Sequence, residues 1–256
     1  MKISHESPID LLEDSLIYND YEYALLHLMH IPEYKEFYKR AVNNGRAVYL
    51  DNSAYEYQFI EGGFDINYYI DVINEIKPTH IILPDTIADT ESTIENAKSF
   101  PFERISYNAK YIGVTQGLTN DELNKCFDFM NNFDKVDVIS LVFHSPAYQK
   151  NNGNIDYNNT RGRFNFFNNI EKRLKKPIHL LGCSLPKEFK LYNSEKIISM
   201  DSAVPVQWGI LGKKFSFDID VKPKCVLDES VIKSNTPNKD LILENIKIFR
   251  DSLASF

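Results

Sequence analysis

The chain alternates between two periodicities, and this constrains its fold more than any other feature. Short apolar runs rich in Ile, Val, Leu and Tyr are each followed by an amphipathic stretch of helical period. "YALLHLMH" (23–30) reads as a strand and "PEYKEFYKRAVNNG" (32–45) as a helix, opened by Pro32 and closed near Gly45. The strands "RAVYLDNS" (46–53), "THIILPD" (79–85), "KYIGVTQG" (110–117) and "DVISLVF" (137–143) follow, with helices predicted over 65–76, 89–100, 120–133 and 161–174. "PIHLLGCS" (177–184) and "KIISMDS" (196–202) read as strands flanking a short helix at 186–192. "KFSFDID" (214–220) reads as an eighth strand, and 238–256 as a closing amphipathic helix.

Repetition of this kind is the signature of a parallel sheet with helical crossovers. Eight units in 256 residues fit an α/β architecture of the compact (β/α)8 TIM-barrel type. An open doubly wound sheet is the alternative, disfavoured because no glycine-rich phosphate loop follows the first strand. No linker or low-complexity tract divides the chain, so residues 1–256 are expected to form a single barrel domain.

Three of the apolar runs end on a carboxylate: Asp51 in "AVYLDNS", Asp85 in "HIILPD" and Asp201 in "KIISMDSA". In a (β/α)8 barrel the active site lies at the C-terminal ends of the strands. Gln116 and His144 also follow strands, so five polar groups from five strands would meet on one rim. An Asp after a strand is often only a helix N-cap. Asp89, four residues beyond Asp85, is the natural cap there, and none of the three strand-end aspartates directly begins a clear helix.

Converging carboxylates suit chemistry at an acetal-like carbon, where one attacks or stabilises an oxocarbenium-like centre and a second moves a proton on the leaving group. An Asp beside an amide such as Gln116 suits recognition of amino and ring N–H groups, the edge of a guanine-like base. No dinucleotide, P-loop or HExxH motif occurs, and no cofactor is expected. His27 and His30 have odd spacing within the predicted strand and cannot share a metal there. His80 and His179 begin strands and read as packed or surface groups. Three widely separated cysteines, Cys126, Cys183 and Cys225, form no disulfide framework or four-cysteine zinc site.

The net charge of −7 argues against broad attraction to nucleic acid but leaves room for a local basic surface. No apolar run approaches the roughly 20 residues of a membrane span. The N-terminus lacks the apolar core of a signal peptide, so a soluble, cytoplasmic protein is expected.

At "YLDNSAYE", "ILPD", "GVTQG", "HLLG" and "MDSAVP", in that order over residues 46–209, the sequence resembles the tRNA-guanine transglycosylase superfamily. It looks closest to the short, phage-type branch thought to place 7-deazaguanine bases in DNA. The resemblance implies that Asp201 is the nucleophile that attacks C1′ and that Asp51 is a general acid/base. It further implies that Asp85 reads the base, helped by Gln116 and Gly117, with Gly182 of "HLLG" beside the substrate; His144, which the family pattern lacks, is expected to reach the pocket from its place at the end of "SLVFH". The implied reaction is a double displacement through a sugar–Asp201 ester, with no metal. DNA is the implied partner, a free 7-deazaguanine base the co-substrate, a protein for strand opening a possible accessory, and the host cytoplasm the location of a phage-encoded enzyme.

The sequence departs from the family pattern in four places. Ser53-Ala54 stands where the family has a glycine pair, and Leu118 follows Gly117 where the tRNA enzymes have a second glycine. "LVFHSP" replaces the glycine-rich stretch that contacts the base. The C-terminal zinc module of the tRNA enzymes is absent, which favours DNA over tRNA as the substrate. Two further readings stay open: hydrolytic release of a base by the same carboxylates, and a non-catalytic barrel that only binds.

For an acidic protein the phosphate contacts must be local. Lys150, Arg161 and Arg163, in and after the Asn-rich loop that follows the fifth strand, and Lys222 and Lys224 after the predicted eighth strand, are the expected contacts. Tyr148, Tyr157 and Trp208 are candidates to stack on a base, Trp208 being equally suited to a core. "SHESP" (4–8) is expected to fold over the pocket.

Overall fold

The computed structural model describes residues 1–143, 145–151, 154–155, 161–183, 186–216 and 235–254. Its strands are β1 (Lys2–Ser4), β2 (Glu22–Leu25), β3 (Val48–Asp51), β4 (His80–Ile82), β5 (Lys110–Thr115), β6 (Val138–Val142), β7 (Ile178–Leu181) and β8 (Ile197–Asp201). Every pairing among them is parallel, in the order β1-β8-β7-β6-β5-β4-β3-β2. Around them run α1 (Leu12–Tyr18), α2 (Pro32–Asn43), α3 (Ile66–Ile76), α4 (Thr90–Ser99), α5 (Asn120–Asn132), α6 (Gly162–Ile170), α7 (Val204–Ile210) and α8 (Lys239–Ala254). This is a nearly closed eight-stranded parallel barrel of the (β/α)8 type. The strands are apolar almost throughout because parallel strands under helices are buried on both faces. β2 is buried at all four positions and β6 at all five.

The seam lies between β1 and β2, and Asp20 stitches it. Its backbone N–H donates to Ile3 O (2.9 Å), and its carboxylate accepts from Ile3 N–H (2.8 Å). Arg250 of α8 ion-pairs with the same carboxylate at 2.9 Å, which ties the closing helix to the seam. Tyr21 donates to Met200 O across the gap (2.6 Å).

The first strand is the N-terminal "KIS" rather than a run near 214–220. Three residues are too few for a period-two pattern to register in sequence. Residues 214–216 carry no strand, and 217–220 lie outside the described residues. The strand expected over 23–30 stops at Leu25. Residues 26–28 turn into a 3-10 helix, in which the N–H and Nδ1 of His27 both lie against Ser53 Oγ (3.2 and 3.0 Å).

Helix starts follow their caps. Asp89 accepts from Ser92 N–H at the head of α4, and Asp65 from Asn67 N–H at the head of α3. Thr119 and Glu122 form a capping box on α5. The capping duty near β4 thus belongs to Asp89 and leaves Asp85 for the barrel mouth.

Candidate active site

Parallel register carries the strand-end side chains to one level. Leu25 lies beside Asp51 across β2 and β3, and Ser4 beside Asp201 across β1 and β8. Around this level opens a cavity of about 340 Å³ whose wall includes Glu6, Tyr23, Asp51, Glu56, Asp85, Gln116, Phe143, Gly182 and Asp201. Five carboxyl groups therefore share one cavity, and its wall contains no Lys or Arg among the described residues.

Asp201 is buried, with 2 % of its surface exposed. Gly182 donates its backbone N–H to Oδ1 at 3.0 Å. It can do so because it adopts a left-handed conformation, φ +64°, which turns the amide toward β8. His179 Nε2 lies 3.1 Å from the same Oδ1, an ion-pair distance without a well-aligned hydrogen bond. Ser199 Oγ faces the other ring nitrogen at 3.0 Å, and Tyr23 stacks on the ring. Both contacts fall on Oδ1, so Oδ2 is left without a hydrogen bond among the described residues.

Asp85 is held differently. Asn52 Nδ2 donates to its Oδ1 (2.8 Å) and Gln116 Nε2 to its Oδ2 (2.6 Å). Asn52 also donates to Leu83 O, and Gln116 accepts from Ala88 N–H, so both clamping amides are fixed. Burial raises the Asp85 carboxyl above its ordinary range while the two amide bonds pull it back. Each carboxylate oxygen keeps a second lone pair. Asp51 lies well above its ordinary range because of burial first and then the charges of Glu56, Asp85 and Asp201; the N–H of Ser53 only partly offsets this. Glu6 is displaced the same way by burial, then by Asp201, Glu56 and Asp51. Glu56 is raised by burial.

Of the residues expected at the site, Asp51, Asp85, Gln116, Gly182 and Asp201 come together on this wall. Gly117 does not. It lies behind the wall, where a Cβ would come within 2.7 Å of Leu123 N, so its glycine serves the close packing of α5. His144, Tyr157, Lys222 and Lys224 lie outside the described residues, and Lys150 belongs to a short antiparallel pairing of Lys150–Asn151 with Asn154–Ile155 whose side chains do too. Arg161 is exposed at the start of α6. Arg163 is not a phosphate contact: it is 1 % exposed in its side chain and pairs with Glu188 through Nε (2.7 Å) and Nη2 (2.9 Å). Tyr148 and Trp208 are buried as well. Trp208 is 7 % exposed in α7, which packs on α8, so it serves the core rather than a base.

Sequence reasoning expected "SHESP" over the pocket, where Glu6 lies, without singling out Glu6, and it passed over Glu56, Asn52 and His179 as site residues. Glu56 stands five residues beyond Asp51 in the same loop, and Asn52 directly after it. Their signal was proximity to a strand end. His179 looked like a strand-opening residue, and only the pairing of β7 with β8 places it beneath Asp201.

Compared with known proteins, the chain matches no family model, and no curated protein matches it. Among the described residues no group of three His, Cys, Asp or Glu side chains is arranged to hold a metal ion, and no helix is long and apolar enough to cross a membrane. What remains is the chemistry of the wall: one aspartate anchored through a single oxygen, one clamped between two amides, and carboxyl groups whose proton affinity is raised by burial and, for Asp51 and Glu6, by neighbouring carboxylates.

Proposed function

We propose that the protein is a base-exchanging pentosyltransferase that replaces guanine in DNA with a 7-deazaguanine derivative. The observation that carries this reading is Asp201: anchored on Oδ1 by Gly182 and His179, it leaves Oδ2 for an electrophile in the cavity. Attack of that oxygen on C1′ breaks the bond to the base and forms a sugar–Asp201 ester. An incoming base then attacks C1′ and restores the carboxylate, with retention at the sugar. No cation lines the wall among the described residues, so none opposes the positive charge that builds on the sugar beside Asp201 as the base departs.

Asp85 supports guanine as the leaving base. Its two remaining lone pairs match the adjacent ring N–H and amino group of guanine, and the amide clamp fixes their direction. The proton needed by the departing base belongs to the carboxyl groups that face Asp201, Asp51 among them. The reading takes DNA rather than tRNA as the polymer, and the exchange assay separates the two.

The test is an exchange assay with duplex DNA and, separately, tRNA, each carrying labelled guanine and supplied with a panel of free 7-deazaguanines. Release from DNA that requires an added base, and that falls about 10³-fold or more in Asp201→Ala, is the expected result. Release from tRNA instead would reassign the polymer, and release without any added base would make the protein a hydrolase. No release from either polymer by the wild type would refute the reading.

A further inference from the structure

Glu6 belongs to no strand-end aspartate pattern, yet the chain around it is built to place it in the wall of the cavity that Asp201 also lines. β1 ends at Ser4, which pairs with Asp201. Beyond it His5 is buried, its N–H donating to Asn19 Oδ1 (2.8 Å) and its Nδ1 2.9 Å from Ser202 O. Asn19 Nδ2 returns a bond to His5 O (3.1 Å). Ser7 is buried too, 2.7 Å from Tyr18 OH. With both neighbours fixed into the barrel, Glu6 alone faces the cavity, and its carboxyl makes no hydrogen bond among the described residues.

We infer that Glu6 is a catalytic residue, the general acid that protonates the departing base and later takes the proton back from the incoming one. This rests on the base-exchange reading. In the first half-reaction the Asp201 Oδ2–C1′ bond forms and the C1′–N bond breaks, its electron pair going to the base. The Glu6 proton moves to a ring nitrogen of that base. In the second half the incoming ring nitrogen attacks C1′ and its proton returns to Glu6, while the ester electron pair returns to Asp201.

The electrostatics time the first transfer. Burial aside, the charge of Asp201 is the largest influence holding the proton on Glu6, ahead of Glu56 and Asp51. Esterification neutralises Asp201 and removes that hold at the moment the proton is needed. Asp51 Oδ2 already accepts the N–H of Ser53, whereas no hydrogen bond engages the Glu6 carboxyl among the described residues.

The experiment compares Glu6→Gln, Glu6→Asp and Asp51→Asn on DNA carrying guanine or 7-methylguanine. The methylated ring already bears a positive charge and departs neutral without a proton from the protein. Glu6→Gln is expected to slow guanine release by about 10²-fold or more, to leave 7-methylguanine release within several-fold of wild type, and to be partly rescued in Glu6→Asp. Infrared difference spectra give a readout independent of turnover. Glu6→Gln should remove a protonated-carboxyl band at neutral pH, and Asp201→Asn should weaken it. Equal slowing on both bases, or on neither, would overturn the assignment, as would a guanine-selective loss found in Asp51→Asn alone. A wild type that releases neither base overturns the base-exchange reading and Glu6's role with it.

Discussion

Two regions of this barrel bury charge, and they do it in opposite ways. Beside β6 and β7, Arg163 and Glu188 are each about 1 % exposed and fully partnered. The guanidinium grips both Glu188 oxygens and donates through Nη1 to Leu141 O (2.9 Å) and Leu181 O (3.0 Å), while Tyr192 OH donates to Glu188 (2.7 Å). In the cavity, five carboxyl groups face one another with no cation in the wall among the described residues. The first arrangement leaves nothing for a ligand and fixes the ends of two strands. The second leaves protons and lone pairs available, at a cost in stability. Phe143 joins them: it lines the cavity and carries the Arg163 guanidinium over its ring at 5.2 Å. The satisfied pair thus braces the wall that the unsatisfied carboxyls use.

The largest expected effect breaks the satisfied side. Glu188→Gln or Arg163→Met leaves one buried charge unpaired and should cost about 3–5 kcal/mol in urea unfolding. The double change Arg163→Met/Glu188→Leu should recover most of that loss. Lys214–Glu244, with side chains 63 % and 49 % exposed, is the control, and its removal should cost no more than about 1 kcal/mol. Equal losses for the buried and surface pairs would dissolve the contrast between the two regions.

An intermediate effect is expected at the one cavity carboxylate that has polar partners on both oxygens. Asn52→Ala strips Asp85 Oδ1 and Leu83 O of a buried donor and should cost about 1–3 kcal/mol. It should also drive the Asp85 carboxyl further above its ordinary range and weaken guanine binding more than sugar binding. Isothermal titration with free guanine on wild type and variant measures this, and unchanged affinity would remove Asp85 from base recognition.

Much of this was legible in the chain, and the gaps have physical causes. The apolar runs within 48–51, 110–115 and 138–142 announce themselves because strands buried on both faces need a largely apolar sequence. The aspartates that close such runs then fall on the C-terminal rim by topology alone. Glu6 was not singled out within "SHESP" because the strand before it, β1, is three residues long and invisible as a pattern, which also led the remaining strand to be sought over 214–220. Arg163 was misjudged because a basic residue in a polar stretch carries no mark of its partner. Glu188 stands 25 residues away and meets it only through the fold. Gly117 was misplaced, and Trp208 was left between core and base, for the same reason: what covers them comes from α5 and α8, segments whose arrival local sequence does not record.

The smallest expected effect has the opposite sign to the others. Asp51 has a folded-state carboxyl well above its ordinary range, with burial the leading cause. A group of that kind binds its proton more tightly folded than unfolded. Its contribution to stability is complete below the unfolded pKa of about 3.9 and is lost as pH rises through the folded value. Asp51→Asn removes the titration and keeps the shape, so the variant should melt above wild type at pH 8. If the gain is about 1 kcal/mol, the melting temperature rises by about 2–4 °C, and the gap should close as the pH falls toward 4. Activity should fall in the same variant. Thermal melts at several pH values decide the point. A variant that is less stable than wild type at pH 8 would mean that Asp51 gains more from its surroundings as an ion than it loses, and the cavity would then be as well satisfied as the Arg163 pair.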